Sequence, residues 1–176
     1  YDFIKELDDS VKTIESLTTY PSILGGRVKT LHPKVFGGIL GRLQNEKDVE
    51  EMKQYEIPAF DLVIVDLYPF EETVKKTHNP AQLIEKIDIG GISLIRAGAK
   101  NFNEVVIVPD SKYYLEFMEL YKNQDGCTSI EDRKRFAKYA FATSSHYDGM
   151  IYDWFAKDDD VSDLNIHIDS RSELRY

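Results

Sequence analysis

The sequence predicts an α/β fold, a Rossmann-type parallel sheet flanked by helices. Two short apolar runs, residues 60–67 and 104–108, have the composition of buried strands. Helical patterns precede, separate and follow these runs, so strands and helices alternate along the chain. Hydrophobic residues make up 42% and charged residues 30% of the chain, a balance typical of a globular domain. In such a sheet, ligands bind beyond the carboxyl ends of the strands.

The first part of the chain predicts short elements and one long loop. Residues 1–7 have an amphipathic helical pattern, and residues 11–14 resemble a short strand. Residues 21–40 contain several Gly and Pro with basic residues among them, which is typical of a loop. A polar helix is predicted over residues 46–56, because Pro58 prevents it from continuing.

The middle of the chain predicts two helices separated by glycines. Asn79 and Pro80 provide a cap and a first-turn proline for a helix over residues 81–86. The pair at residues 90–91 is expected to interrupt the helical pattern, which resumes over residues 92–99.

The last predicted elements follow the second apolar run. Ser111 is expected to cap the next helix. Ser129 and Asp132 have the spacing of a capping box, which predicts a helix that runs to about Phe155. Residues 164–168 suggest one more strand.

Composition and charge exclude several classes of function. The net charge of −9 argues against nonspecific binding to nucleic acid or to an anionic membrane, so a bound anion must meet locally concentrated cations. No apolar run is long enough for a membrane span. The single cysteine, Cys127, rules out an internal disulfide and fits a reducing cytoplasm. The histidines lack the spacing of metal ligands, so we expect no metal.

The first candidate site is the glycine-rich basic segment over residues 25–33. Its two glycines let the backbone approach a ligand closely. Arg27 and Lys29 would point the same way in an extended chain, and the Thr30 hydroxyl adds a hydrogen-bonding group. The segment predicts an anion cradle, although a solvated basic loop would have the same composition.

The second candidate is Tyr68, which lies just after the first predicted strand. At the carboxyl end of a strand, its hydroxyl could donate or relay a proton to a ligand. The alternative is a tyrosine packed at the rim of the fold with its hydroxyl in water. No neighbouring residue distinguishes the two.

The third candidate is Asp88 with the diglycine that follows it. Because isoleucines flank Asp88, its carboxylate is expected to be partly desolvated, and the N–H groups at a helix start can bind an oxyanion or a carbonyl. A helix cap explains Asp88 equally well. Further along, Lys100 lies four residues after Arg96 on one helical face, where it could also be an ordinary surface lysine.

These clusters, in this order, resemble one family. Gly-Arg-Val-Lys-Thr-Leu-His-Pro (residues 26–33), Asp-Leu-Tyr-Pro-Phe (66–70), Ile-Asp-Ile-Gly-Gly (87–91) and Ala-Lys-Asn (99–101) look like motifs of the cyclohydrolase domain of the bifunctional aminoimidazole carboxamide ribotide transformylase/inosinate cyclohydrolase family. The resemblance implies a methylglyoxal synthase-like fold.

The resemblance also implies how the chain is divided. The cyclohydrolase domain would occupy residues 1–156, and residues 157–176 would be a linker and the start of the transformylase domain. Relatives begin with further strands and a phosphate loop bearing serine and lysine, and they continue into a complete transformylase domain. We therefore expect this sequence to be part of a longer protein.

The activity implied is that of an IMP cyclohydrolase in de novo purine biosynthesis. This enzyme closes 5-formamido-imidazole-4-carboxamide ribotide to IMP with loss of water. The step needs no cofactor, whereas the transformylase domain of relatives uses 10-formyltetrahydrofolate. The resemblance further implies a small ribonucleotide substrate, a homodimer and a cytoplasmic protein that binds neither nucleic acid nor membrane.

Part of the matching positions would bind the nucleotide. By resemblance, Arg27, Lys29 and Thr30 lie on the phosphate side, with Lys29 near the reacting carbonyl. The backbone N–H groups of Ile89 and Gly90 would hold a polar group of the base.

The other matching positions would handle protons. Asp88 would orient or deprotonate the carboxamide, while Lys100 with Tyr68 would supply the proton that lets water leave. Together with Lys29, these residues are expected to share one water-poor cleft. Asp66 stands where many relatives carry asparagine, which adds a negative charge beside the predicted site.

Two other interpretations stay open. A methylglyoxal synthase-like lyase would eliminate phosphate from a triose with a carboxylate base of its own. A regulatory domain of the same fold would bind a nucleotide as an effector and would need only the phosphate cradle. The presence of Tyr68, Asp88 and Lys100 together favours catalysis.

Overall fold

Residues 2–157 are described by a computed structural model, and this part of the chain is built around two short parallel strands. β1 (Leu62–Ile64) pairs with β2 (Val106–Val108) in register along its length. Both predicted apolar runs therefore form strands, and the α/β class is confirmed. The α-helices of the described residues are α1 (Asp2–Lys5), α2 (Ile14–Thr18), α3 (Pro33–Leu40), α4 (Glu46–Gln54), α5 (Phe70–Lys76), α6 (Pro80–Ile84), α7 (Gly90–Lys100), α8 (Tyr114–Asn123) and α9 (Ile130–Phe155).

β2 lies at the centre of the hydrophobic core. All its residues are buried, and alternate side chains point to opposite faces of the sheet. Ile107 packs against α7, whereas Val106 and Val108 pack against α8, and α9 contributes side chains to both clusters. Helices therefore cover both faces of β2, as a parallel sheet requires.

β1 is less covered than the sequence predicts. Leu62 is 38% and Ile64 51% exposed, and only Val63, on the other face, packs into the core. The expectation of a fully buried strand over residues 60–67 is thus wrong for the described part of the chain. Within that part, β1 pairs on one side only, and no helix covers its Leu62 and Ile64 face.

Three other elements of the first half differ from the predictions. Residues 11–14 are not a strand, because the Thr13 hydroxyl accepts a hydrogen bond from Ser16 N–H and caps α2. The predicted loop over residues 21–40 contains α3, which begins where His32 Nδ1 accepts the Lys34 N–H. The N-terminal helix is limited to α1, which has no buried residue.

Among the later helices, the starts differ by a few residues from the predictions. Asp110, not Ser111, accepts the Lys112 N–H and begins the 3₁₀ turn that leads into α8. α7 begins at Gly90, so the glycines start this helix and do not interrupt it. Asn79 caps α6 as expected.

The long C-terminal helix is confirmed. Ser129 Oγ accepts the Asp132 N–H and the Asp132 carboxylate accepts the Ser129 N–H, so the capping box is complete. α9 ends at Phe155, as predicted. The predicted strand over residues 164–168 lies outside the described residues, and the domain boundary at 156 stays a prediction.

Candidate functional site

A short turn displays the basic segment at the surface. Ile23 and Val28 form an antiparallel bridge around the 3₁₀ turn Leu24–Gly26. Gly25 and Gly26 have φ angles of 67° and 91°, a left-handed conformation that favours glycine. The glycines thus close the turn that presents the residues following it, Arg27 to Thr30.

This turn lies against the segment that leads into α7. Arg27 donates hydrogen bonds to the carboxylate of Glu85, and this contact keeps the Glu85 pKa below its usual value. Thr30 Oγ1 lies so close to Gly90 that a Cβ built on Gly90 would be 2.9 Å from it. The structure therefore brings Arg27 and Thr30 to the Asp88 segment, although some 58 residues separate Arg27 from Glu85.

Two helices begin at this place. The Thr30 contact puts the start of α3 beside the start of α7. At the other ends, the Asn101 amide donates to the carbonyls of Ile39 and Gly41, at 2.8 and 3.0 Å. The helices therefore run in the same direction, with both positive dipole ends beside the basic turn. This arrangement attracts an anion more strongly than the basic residues alone would.

Asp88 stands at the entrance of α7. Its carboxylate accepts the Gly91 N–H at 2.6 Å, so it caps the helix start, and the residue is half-buried. The Asp88 backbone N–H donates to the hydroxyl of Tyr147 on α9 at 2.8 Å. The helix-cap interpretation is thus confirmed, and one carboxylate oxygen, Oδ2, has no hydrogen bond to the described residues.

Tyr68 lies beside the same segment on the open surface. It is 56% exposed, and Lys86 Nζ lies over its ring, 5.1 Å from the centroid. Lys86 was not singled out from the sequence, although it precedes Asp88 by two residues. It adds a third cation to this face.

The side chain of Asp66 contacts α8 and not the surface cluster, which consists of Arg27, Lys29, Thr30, Tyr68, Lys86 and Asp88. It accepts a hydrogen bond of 2.5 Å from the Tyr114 hydroxyl, and this contact raises the Tyr114 pKa to about 12. The negative charge that distinguishes Asp66 from asparagine is therefore hydrogen-bonded to a tyrosine at the start of α8.

Within one chain, Lys100 lies away from Asp88 and Tyr68, with which the resemblance groups it. Gly90 and Lys100 are the first and last residues of α7, which places them about 15 Å apart along the helix axis. Lys100 instead lines a cavity of about 820 Å³ with Arg42, Asp48 and other residues. The length of α7 thus separates two motifs that are close in the sequence, and the role of Lys100 stays a prediction.

The cations of the cluster are exposed. Lys29 Nζ lies 3.6 Å from Glu15 Oε1, and Arg27 pairs with Glu85. Because exposed ion pairs contribute little free energy, a phosphate could replace Glu85 and Glu15 as the partner of these cations. None of three cavities of about 400, 510 and 820 Å³ is lined by residues 23–30 or 85–91. These cations therefore lie at an open surface of the described residues, and the shared water-poor cleft stays a prediction.

The described residues contain neither a candidate metal site nor a candidate membrane-spanning helix. No group of three or more His, Cys, Asp and Glu side chains in this part of the chain could hold a metal ion. Between residues 2 and 157, no helix is both long enough and apolar enough to cross a membrane.

Comparisons with known proteins assign the chain to a family. A family model described as "AICARFT/IMPCHase bienzyme" matches residues 98–176, and one described as "MGS-like domain" matches residues 1–93. A crystal structure titled "Crystal structure of ForH" superposes with a TM-score of 0.71 and 34% identity, over 88% of this chain and 81% of that one. These matches confirm the methylglyoxal synthase-like fold.

Curated relatives carry the name "Bifunctional purine biosynthesis protein PurH". The protein from Bacteroides thetaiotaomicron is 52% identical over 174 residues, which cover 99% of this chain and 34% of the relative. The protein from Aquifex aeolicus is 46% identical over 155 residues, which cover 88% of this chain and 30% of the relative. The chain therefore spans about a third of the length of these relatives.

Proposed function

Because the chain belongs to the AICARFT/IMPCHase bienzyme family and has its MGS-like domain, we propose that it catalyses the IMP cyclohydrolase step. In this step 5-formamido-imidazole-4-carboxamide ribotide closes to IMP and releases water. The observation that carries the proposal is the convergence of Arg27, Thr30, Asp88 and two helix starts on one face.

The phosphate of the ribotide binds at the basic turn in this proposal. Arg27, Lys29 and the Thr30 hydroxyl supply charge and hydrogen bonds, and the starts of α3 and α7 add positive dipole ends. This binding anchors the nucleotide, so that its two reacting arms lie over the entrance of α7. Anchoring a flexible substrate in this way lowers the entropy cost of ring closure.

Ring closure needs a better nucleophile than a free carboxamide nitrogen. The unoccupied Asp88 Oδ2 accepts a proton from that nitrogen as it attacks the formyl carbon. The N–H groups of Ile89 and Gly90 hold a polar group of the base, since the α7 start leaves them without intrahelical acceptors. Lys29 stabilises the negative charge that develops on the formyl oxygen.

The formyl oxygen leaves as water, so it takes up two protons, while the carboxamide nitrogen and the formamido nitrogen lose one each. In this proposal Asp88 passes the carboxamide proton to this oxygen and Tyr68 donates the second, and the Tyr68 phenolate takes the formamido proton as the C=N bond forms and water leaves. Lys86, whose ammonium lies over the Tyr68 ring, holds positive charge next to it. The resemblance also predicts a role for Lys100. Because Lys100 and Asp88 of one chain lie at opposite ends of α7, Lys100 would have to reach the substrate from another direction. The step uses no cofactor and no metal.

We further propose that the chain is part of a longer protein, as its PurH relatives are. By its relatives, it also carries an AICAR transformylase that uses 10-formyltetrahydrofolate, and it acts in the cytoplasm as a homodimer. Its partner molecules are small ribonucleotides rather than nucleic acid or membrane. These proposals rest on PurH relatives that are about three times as long as this chain.

The direct test mixes the full-length protein with the formylated ribotide and follows the ultraviolet spectrum of inosinate. We expect conversion, and we expect Asp88→Asn to lower kcat about 10²- to 10³-fold, because the proton acceptor is lost. The matched control is Asp153→Asn, which lines a cavity on α9 away from the cluster.

Three results would contradict the proposal. The first is a wild-type rate for Asp88→Asn. The second is binding of inosinate without any conversion of the ribotide, which would indicate a regulatory domain. The third is release of inorganic phosphate from a triose phosphate with no ring closure, which would indicate the lyase.

A further inference from the structure

The hydroxyl of Tyr147 joins two backbone groups of the segment before α7. It accepts the Asp88 N–H at 2.8 Å and donates to the Lys86 carbonyl at 3.1 Å. Tyr147 lies on α9, 59 residues from Asp88, and is only 4% exposed. A buried side chain from another element therefore closes the turn that carries Asp88.

These two backbone groups depend on Tyr147. α6 ends at Ile84, and the last backbone hydrogen bonds of that turn are made by the N–H groups of Lys86 and Ile87. Within the described residues, the Asp88 N–H and the Lys86 carbonyl make no backbone hydrogen bond. Ile87 of this turn packs in the same hydrophobic cluster as Tyr147. Without the hydroxyl, the half-buried turn would keep that packing but lose its hydrogen bonds to α9.

The ring of Tyr147 is itself held firmly. It packs in a hydrophobic cluster with Phe70 and Leu83, and its centroid lies 6.4 Å from that of Phe70 in an edge-to-face arrangement. Burial raises the pKa of the Tyr147 hydroxyl, so the group stays protonated and can donate. The hydroxyl is thus a fixed anchor point in the core.

We propose that Tyr147 is a positioning residue of the cyclohydrolase site: its hydroxyl sets the place of Asp88 and of the N–H groups at the start of α7. This inference rests on the proposed function, because it concerns the geometry of that reaction. Tyr147 does not touch the substrate. It acts through the turn, whose carboxylate accepts the proton and whose N–H groups hold the base.

The test is Tyr147→Phe in the full-length protein, which removes one oxygen and keeps the ring. We expect kcat for ring closure to fall about 10- to 100-fold, because small displacements of a reacting group have effects of this size. We expect KM to change less than about threefold, since the phosphate is held by the basic turn.

The matched control is Tyr139→Phe. Tyr139 is also a tyrosine of α9 whose pKa is raised by burial, but its hydroxyl bonds Glu116, away from the cluster. We expect Tyr139→Phe to keep the wild-type kcat. A similar loss of kcat in both variants, at equal folded fraction, would mean that Tyr147 serves stability alone and would overturn the inference.

A double variant separates positioning from structure. Because Tyr147 acts in part through Asp88, we expect Tyr147→Phe to lower kcat by a smaller factor in the Asp88→Asn background than in the wild type. If the kcat losses of the two single variants multiply fully in the double variant, the inference is overturned. If the wild-type protein itself performs no ring closure, the proposed function fails. If it does and Tyr147→Phe keeps full kcat, only the present inference fails.

Discussion

At Gly90 the structure leaves no room for a side chain. An added Cβ would lie 2.9 Å from Thr30 Oγ1, which belongs to a short branched side chain that cannot move far. Elsewhere at the start of a helix, alanine in place of glycine usually stabilises the protein. The contact between the basic turn and α7 therefore decides the residue at this position.

Gly90→Ala should destabilise the protein by about 1 kcal/mol, because the new methyl group pushes the basic turn away. In a Thr30→Ala background the same substitution should be neutral or stabilising, since the clash is gone. Urea unfolding of the four proteins measures both effects. Equal effects of Gly90→Ala in the two backgrounds would show that the two residues do not meet.

Individual residues also show the limits of sequence patterns. Arg27, Thr30, Asp88 and Gly90 could be singled out because they lie in short motifs with glycines and charges. Tyr147 could not, since nothing in its neighbourhood on α9 indicates a hydrogen bond to a segment 59 residues away. A single sequence records short local motifs, but it does not record a hydrogen bond between distant segments.

Among the elements, α3 is a helix in a segment whose local sequence predicts a loop. Gly37 and Gly38 lower its intrinsic helix propensity, and its segment is rich in loop residues. The helix forms because Gly38 lets the Phe60 ring and the Pro58 carbonyl lie within 3 Å of the position that a Cβ would take. Packing available only in the folded chain outweighs the local preference.

The Asp48 carboxylate, in the first turn of α4, binds the segment that precedes the helix. Arg42 donates to Asp48 from its guanidinium and its backbone N–H, and these hydrogen bonds lower the Asp48 pKa to about 2. The folded pKa is thus below that of the unfolded chain. The contribution to stability is present above about pH 4 and is lost as the pH falls toward 2.

Asp48→Asn should flatten this part of the pH profile. The wild-type protein should lose stability steadily between about pH 4 and 2, and the variant should lose less over that interval, because asparagine does not titrate. Denaturant unfolding at several pH values measures the difference. Parallel profiles for the two proteins would contradict the assignment of the low pKa to Asp48.

At the scale of the whole molecule, Asn101 joins two parallel helices. Asn101 is only 8% exposed, and both hydrogen bonds of its side-chain amide go to carbonyls at the end of α3. The Thr30 contact joins the same helices at their starts. The direction of α3 relative to α7, and so the convergence of their positive ends, depends on both contacts.

Asn101→Ala should destabilise the protein by about 2 kcal/mol, because the carbonyls of Ile39 and Gly41 lose their donor. The control is Asn103→Ala, an exposed position two residues further on, where we expect a change within about 0.5 kcal/mol. Urea unfolding gives both values. Equal changes in the free energy of unfolding at the two positions would show that the hydrogen bonds of the buried amide do not stabilise the protein.

The sequence by itself determined the α/β class, the two strands, the capped helices α6 and α9, and the motifs that carry charge and glycine. These features depend on interactions between neighbouring residues, which the order of amino acids records. Only the tertiary structure decided that α3 is a helix, that Lys100 lies away from Asp88, and that Tyr147 holds the turn before α7. Those outcomes depend on contacts between distant segments, whose geometry is set by packing of the whole chain.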